Sequence, residues 1–123
     1  MPNNLEKITL GQTRTTGHTT ANWQAAEADL VSIGSAGVDN KVHSLFIDIT
    51  GIAGTLTVRM YHTIAGIERQ VYSQNFTVAA DGPGRWSING TVGIYGVLRV
   101  TLQSNNAADN GVDVDYDYIL EDM

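Results

Sequence analysis

The sequence predicts an all-β domain, an antiparallel β-sandwich or jelly roll of about seven or eight strands, and three observations carry that expectation. Gly, Thr, Asn, Val and Ile are plentiful while Lys, Glu and Leu are sparse, a balance that favours strands and turns over helices. Apolar residues recur at every second position in several runs, the period of a strand with one buried face. Clusters of Gly, Asn and Asp break the chain at short intervals with no recurrent helix between them, which points to antiparallel pairing rather than βαβ units.

The elements follow in order. Residues 1–20, "MPNNLEKITLGQTRTTGHTT", are polar and Thr-rich with little periodicity, and read as an N-terminal arm that orders by packing on something; residues 21–123 form the single β-sandwich domain. The stretch 20–33 is ambiguous, since its alanines and Gln24 favour a helical turn while Leu30, Val31 and Ile33 favour a strand. In "KVHSLFIDIT", Leu45, Ile47 and Ile49 share one face and Ser44, Asp48 and Thr50 the other, with Phe46 as the apolar exception. "GTLTVRMYHT" is the cleanest amphipathic strand, with Leu56, Val58 and Met60 alternating against Thr57, Arg59 and Tyr61. A three-residue connection ending in Gly66 then predicts a hairpin whose last loop residue takes positive φ. That places His62 opposite Glu68 and Tyr61 opposite Arg69, to within one residue. "AADGPGRW" is a turn cluster before a short strand "RWSIN". "GIYGVLRVTLQ" is a further strand with Leu98, Val100 and Leu102 on one face, and the last strand runs from about Val112 to Leu120 after the loop "SNNAADNG".

The totals exclude several function classes. At 123 residues one domain buries roughly two-thirds of its unfolded surface without staples. Cysteine is absent, so no thiol nucleophile, Cys-ligated metal or disulfide is available. The net charge of −6 and the scattered cations argue against nucleic acid or an acidic membrane as partner. No signal-peptide pattern opens the chain and no apolar run reaches membrane-spanning length, so a soluble protein made in the cytoplasm is expected. No cofactor motif occurs: "GPGRWSING" lacks the third glycine of a dinucleotide fingerprint, and there is no Walker A sequence.

Candidate chemistry centres on the closing "GVDVDYDYILEDM". Asp113, Asp115 and Asp117 match the first three positions of an EF-hand loop, but Tyr118 stands where the turn needs glycine, and no residue remains for the terminal Glu. A strand fits better, because Val112, Val114, Tyr116 and Tyr118 alternate with the aspartates, and carboxylates about 7 Å apart are too spread for one ion. A calcium held by Asp109, Asn110 and Asp113 in the preceding turn is the remaining metal reading. The histidines at 18, 43 and 62 lack zinc-like spacing and read as structural. His43, Ser44 and Asp48 cannot form a triad on one strand, where neighbours point to opposite faces, so no catalytic residue is assigned and no enzyme is expected. Trp23, Trp86, Tyr61, Tyr72, Tyr95, Tyr116 and Tyr118 fill the core and subunit contacts or, alternatively, form a sugar-stacking platform, and Trp23, Tyr95, Tyr116 and Tyr118 are the interface candidates.

The segments "VHSLFIDITGIAGTLTVRMYHTIAGIERQVY", "GRWSINGTVGIYGVLRVTLQSNNAADNG" and "VDYDYILEDM" resemble small virion accessory proteins of tailed bacteriophages and prophages. The resemblance runs from residue 42 to the C-terminus, and its motifs are structural. It implies capsid decoration, with a fibre or tail component as the lesser option, by a homo-oligomer, often a trimer, bound to a capsid or other virion protein. Function is therefore expected to be that of a non-enzymatic structural subunit. The competing expectation is a carbohydrate-binding β-sandwich, assisted by calcium in the 109–113 turn.

Overall fold

The computed structural model describes residues 11–123. Six strands make up most of them: β1 Gln12–Asn22, β2 Ala28–Asp48, β3 Leu56–Ile64, β4 Ile67–Phe76, β5 Gly84–Ser104 and β6 Asn110–Asp122. A four-residue helix, α1 (Val78–Asp81), joins β4 to β5, and one 3-10 turn (Ala107–Asp109) precedes β6. All strands belong to one sheet in the order β1-β6-β2-β5-β3-β4, every neighbour antiparallel. The sheet is open, with β1 and β4 as its edges.

Six strands stand where about seven or eight were expected because β2 and β5 each run for 21 residues. "RWSIN" and "GIYGVLRVTLQ" are one strand, as are the runs on either side of Gly34. Their pairing breaks between Gly34 and Asp39 and resumes beyond. Bulges of this kind bend a strand without ending it. Gly34 holds the bend at φ +94°, where a Cβ would lie 2.5 Å from the Gly96 carbonyl oxygen. Only glycine satisfies both the backbone angle and the close approach.

The expected apolar faces are the buried ones. Leu45, Ile47 and Ile49 are fully buried, as are Leu56 and Val58, and Leu98, Val100 and Leu102 line the same core. One contiguous cluster joins them to Trp23, Val114 and Tyr118. A flat sheet would leave this face wet, and α1, with no buried residue, does not cover it. The core cluster draws instead on side chains of β2, β3, β4, β5 and β6 and on Trp23 in the turn after β1. Ser104 N donates to the Trp23 carbonyl at 2.9 Å and the Thr19 hydroxyl to the Leu30 carbonyl at 2.7 Å, tying β1 and the turn after it to that core.

Three local expectations are corrected. Residues 12–20, read as part of an arm, lie in edge strand β1, whose partner β6 supplies its backbone hydrogen bonds; residues 1–10 lie outside the described residues. The ambiguous stretch is a tight turn at residues 23–26, closed by Ala25 N and Ala26 N on the Asn22 carbonyl, followed directly by β2. The β3–β4 loop has two residues, not three. Ala65 (φ +51°) and Gly66 (φ +84°) form the positive-φ pair that matches strand twist, and Ile64 pairs with Ile67. His62 thus faces Arg69, Tyr61 faces Gln70, and Glu68 faces Thr63, one residue from the expected register. The expected positive φ at Gly66 is present.

Candidate interaction surface

The acidic run is a strand face. Val114 is fully buried and Tyr118 nearly so, while Asp113, Asp115 and Asp117 lie on the other face, where Asp113 and Asp117 meet side chains of β1. Asp117 takes the Arg14 guanidinium at 2.6 Å and the Thr16 hydroxyl at 3.3 Å. Asp113 accepts from His18 Nδ1 and the Thr20 hydroxyl, both at 2.8 Å. These hydrogen bonds hold the carboxyls of Asp117 and Asp113 below the usual carboxylate range. They also lift His18 above the ordinary histidine value, chiefly through the hydrogen bond to Asp113. β1 is thereby zipped to β6 by alternating polar pairs, a pattern no local motif in the Thr-rich segment announces.

The turn before β6 does not converge on one ion. Asp109 is fully buried and accepts from Ala53 N at 2.6 Å, Gly54 N at 3.0 Å and the Ser104 hydroxyl at 2.5 Å. Asn110 Oδ1 accepts from Gln24 N and Ala25 N, and Asp113 faces β1. Each of the three oxygen sets is directed to a different backbone or side-chain partner.

Histidines 43 and 62 are built into the sheet. His43 Nδ1 meets the Thr91 hydroxyl at 2.7 Å and Nε2 meets Glu121 at 2.5 Å, linking β5, β2 and β6; its ring bonds neither Ser44 nor Asp48. His62 Nε2 accepts from Tyr95 N at 3.0 Å, so Nδ1 carries the hydrogen donated to the Thr63 carbonyl. The expected neighbour Glu68 pairs instead with Arg99, which also holds Asp29 at 2.8 Å and stacks 4.4 Å over the Tyr61 ring.

That cluster extends inward to Glu27, which the sequence did not single out. Its carboxylate accepts from the Tyr61 hydroxyl at 2.6 Å and from the Thr101 hydroxyl, and lies 3.4 Å from Arg59. Burial pushes this carboxyl up, but the hydrogen bonds from Thr101 and Tyr61 and the charges of Arg59 and Arg99 outweigh it and hold it below the ordinary value. The Tyr61 hydroxyl is correspondingly raised, first by its bond to Glu27. The group is a brace across β2, β5 and β3, a half-buried polar network whose members satisfy one another.

Of the four aromatic interface candidates, two are core. Trp23 is fully buried, with Nε1 donating to the Val112 carbonyl at 2.7 Å, and Tyr118 is 8% exposed. Tyr116 is half-buried and stacked on Tyr118. Tyr95 is 67% exposed. Beside Tyr95 a groove of about 480 Å³ is lined by Ile64, Val71, Val92 and Leu98, and Ile64, Ile67 and Val71 on or next to edge strand β4 are each about half exposed.

A second patch was foreshadowed by Phe46, the apolar residue on a polar face, and by Trp86 among the aromatics of the sugar-platform reading. Phe46 and Trp86 are directly opposite across β2 and β5, their rings 5.5 Å apart and nearly parallel, both about half exposed. They border a cleft of about 380 Å³ lined by Phe46, Asp48, Gly84, Asp115, Tyr116 and Asp117, among others. Asp48 sits between Gly84 on one side and Asp115 on the other; the missing Gly84 side chain opens the cleft. Thr50 holds the Asp48 carboxyl low through its hydroxyl and backbone N–H. The Asp115 carboxylate makes no hydrogen bond among the described residues.

No family model matches the chain, and no curated protein does. Among solved structures, a subunit described under "Bacillus endospore appendages form a novel family of disulfide-linked pili" is similar over 98% of both chains, with 14% identity and a TM-score of 0.58. The VP2 subviral particle of infectious bursal disease virus aligns with 99% of this chain but 37% of its own, at 11% identity and a TM-score of 0.36, too low to carry an argument. At this identity the first likeness establishes shared fold. The disulfide linkage named for the pili has no counterpart here, since the chain has no cysteine. Among the described residues no helix is long and apolar enough to cross a membrane.

Proposed function

We propose that the chain is a non-enzymatic structural subunit that self-assembles and binds a larger protein lattice, as a capsid decoration protein of a tailed-phage virion. In this reading the sheet works as a sandwich or jelly-roll building block, with a cyclic homo-oligomer, a trimer by preference, as the assembled form. The observation that carries it is the pair of half-exposed apolar patches, one at Phe46 and Trp86 and one along β4 and Tyr95. Monomers seldom leave several such side chains wet without a partner to cover them. The shared fold with a pilus subunit supports a building-block role, and the phage assignment rests on the resemblance from residue 42 onward.

Molar mass by light scattering after size exclusion, with calcium and with chelator, tests the reading. A closed oligomer indifferent to calcium is expected, followed by binding to purified capsids; a monomer that binds no capsid overturns it. One observation favours a second reading, a carbohydrate-binding module. Phe46 and Trp86 present nearly parallel, exposed rings beside carboxylates that accept hydrogen bonds from hydroxyl groups, the makings of a sugar platform. Retention of the protein on immobilised oligosaccharides, abolished by Trp86→Ala, would move this reading to first place.

A further inference from the structure

We infer that the cleft beside Phe46 and Trp86 receives Arg69 from edge strand β4 of a second copy of the chain. This rests on the self-assembly reading and specifies its contact. The cleft is formed on β1, β6, β2 and the first part of β5, and its outer face holds two stacked aromatic rings beside Asp48 and Asp115, which stand directly opposite each other. Facing carboxylates on neighbouring strands repel. Asp117 is already neutralised by Arg14, and Thr50 supplies Asp48 with hydrogen bonds but no charge. The cleft therefore selects a cation, and stacked aromatics favour a guanidinium, which lies flat on a ring while donating in its own plane.

The chain carries a matching group elsewhere. Arg14 pairs with Asp117, Arg59 with Glu27, and Arg99 with Glu68 and Asp29; Arg85 donates to the Asp81 carbonyl and lies 4.5 Å over the Phe76 ring. The Arg69 side chain is exposed and makes no hydrogen bond or ion pair among the described residues. It stands between Ile67 and Val71, 53% and 49% exposed, on a strand with a neighbour on one side only. Edge strands that expose alternating apolar side chains are templates for association. An apolar–cation–apolar stripe thus faces outward on one flank, and an aromatic and acidic cleft lies open on the other. Within one chain they do not meet. Between copies they make a heterologous contact, in which each copy donates Arg69 and receives one, and which closes into a ring when the rotation permits.

Charge reversal tests the contact, read as molar mass against concentration. Wild type is expected to associate, less tightly as salt screens the pair. Arg69→Glu alone and Asp115→Arg alone are each expected to weaken association at least tenfold. An equal mixture recovers association, at every contact of an even-membered ring and at two of the three contacts of a trimer, because the reversed stripe of the first variant then meets the reversed cleft of the second, and the unaltered Arg69 of the second meets the unaltered cleft of the first. Trp86→Ala, at an exposed position, is expected to weaken it as well, and melting curves confirm that each variant is folded. Wild-type association unaffected by these changes overturns the contact and leaves self-assembly standing. Variants that weaken association without recovery on mixing also overturn it. A wild type that stays monomeric at every concentration overturns both the contact and the assembly reading.

Discussion

Replacing Asp109 by alanine should be among the most damaging single changes in the molecule. Its carboxylate is fully buried and its two oxygens accept from Ala53 N, Gly54 N and the Ser104 hydroxyl, fastening the loop between β2 and β3 to the turn before β6. Hydrogen bonds to a charged acceptor each contribute about 1.5–3 kcal/mol net. The two backbone donors are only partly buried, so water entering the vacated space recovers some of that loss. The balance is a cost of about 3–4 kcal/mol, a large share of the roughly 5–15 kcal/mol that stabilises a domain. At about 3–5 °C per kcal/mol for a chain of this size, the midpoint of a thermal melt should fall by roughly 10–20 °C. Asp109→Asn keeps the volume and one acceptor oxygen but turns an N–H donor towards Gly54 N, and should cost about 1–2 kcal/mol. Urea unfolding of the three proteins, in calcium and in chelator, checks the reasoning. A loss below about 1 kcal/mol for alanine would refute it. So would a wild-type midpoint that drops on chelation, since the oxygens would then serve an ion and not the loop.

Other outcomes follow from the same contacts. Trp23→Phe should cost about 2–3 kcal/mol in urea unfolding, through a partly emptied site and a Val112 carbonyl left without its donor. Gly34→Ala forces a side chain into positive φ against the Gly96 carbonyl and should destabilise by about 2 kcal/mol or more, where the same change at Gly37, which has open space around it, should cost less. Glu27 has a lowered folded pKa, so its contribution is fully present above the ordinary glutamate value of about 4.3 and is lost as pH falls through the folded value. Urea midpoints at pH 6 and pH 3 should therefore differ less in Glu27→Gln than in wild type, and an equal difference would show that Glu27 is not part of the acid response.

Much of the sheet is written in local alternation. Leu45, Ile47 and Ile49, then Leu56 and Val58, then Leu98, Val100 and Leu102 take their buried places because a strand sends every second side chain to the same face, a rule that needs no knowledge of partners. The terminal acidic run is a strand for the same reason. Phe46 was visible as an exception to its face, though nothing near it revealed Trp86 on the opposite strand. Aromatic character alone could not divide Trp23 and Tyr118 between core and contact, since a large ring serves equally well in either, and burial depends on which face the rest of the sheet covers.

What the sequence by itself determined was the all-β, antiparallel character of the chain, the inward faces of its strands and the positive φ at Gly66, all consequences of periods and turn residues within a few positions. Tertiary structure alone decided that β2 and β5 pass unbroken through their bulges, that residues 12–20 form an edge strand, and that all six strands join in one open sheet. It also decided the pairing of Glu27 with Tyr61 and Thr101, of Arg99 with Glu68, and of Asp109 with a loop more than fifty residues away. These contacts join groups far apart in the chain, and only the pairing of the strands, driven by burial of the sheet's apolar face, brings them within hydrogen-bond reach.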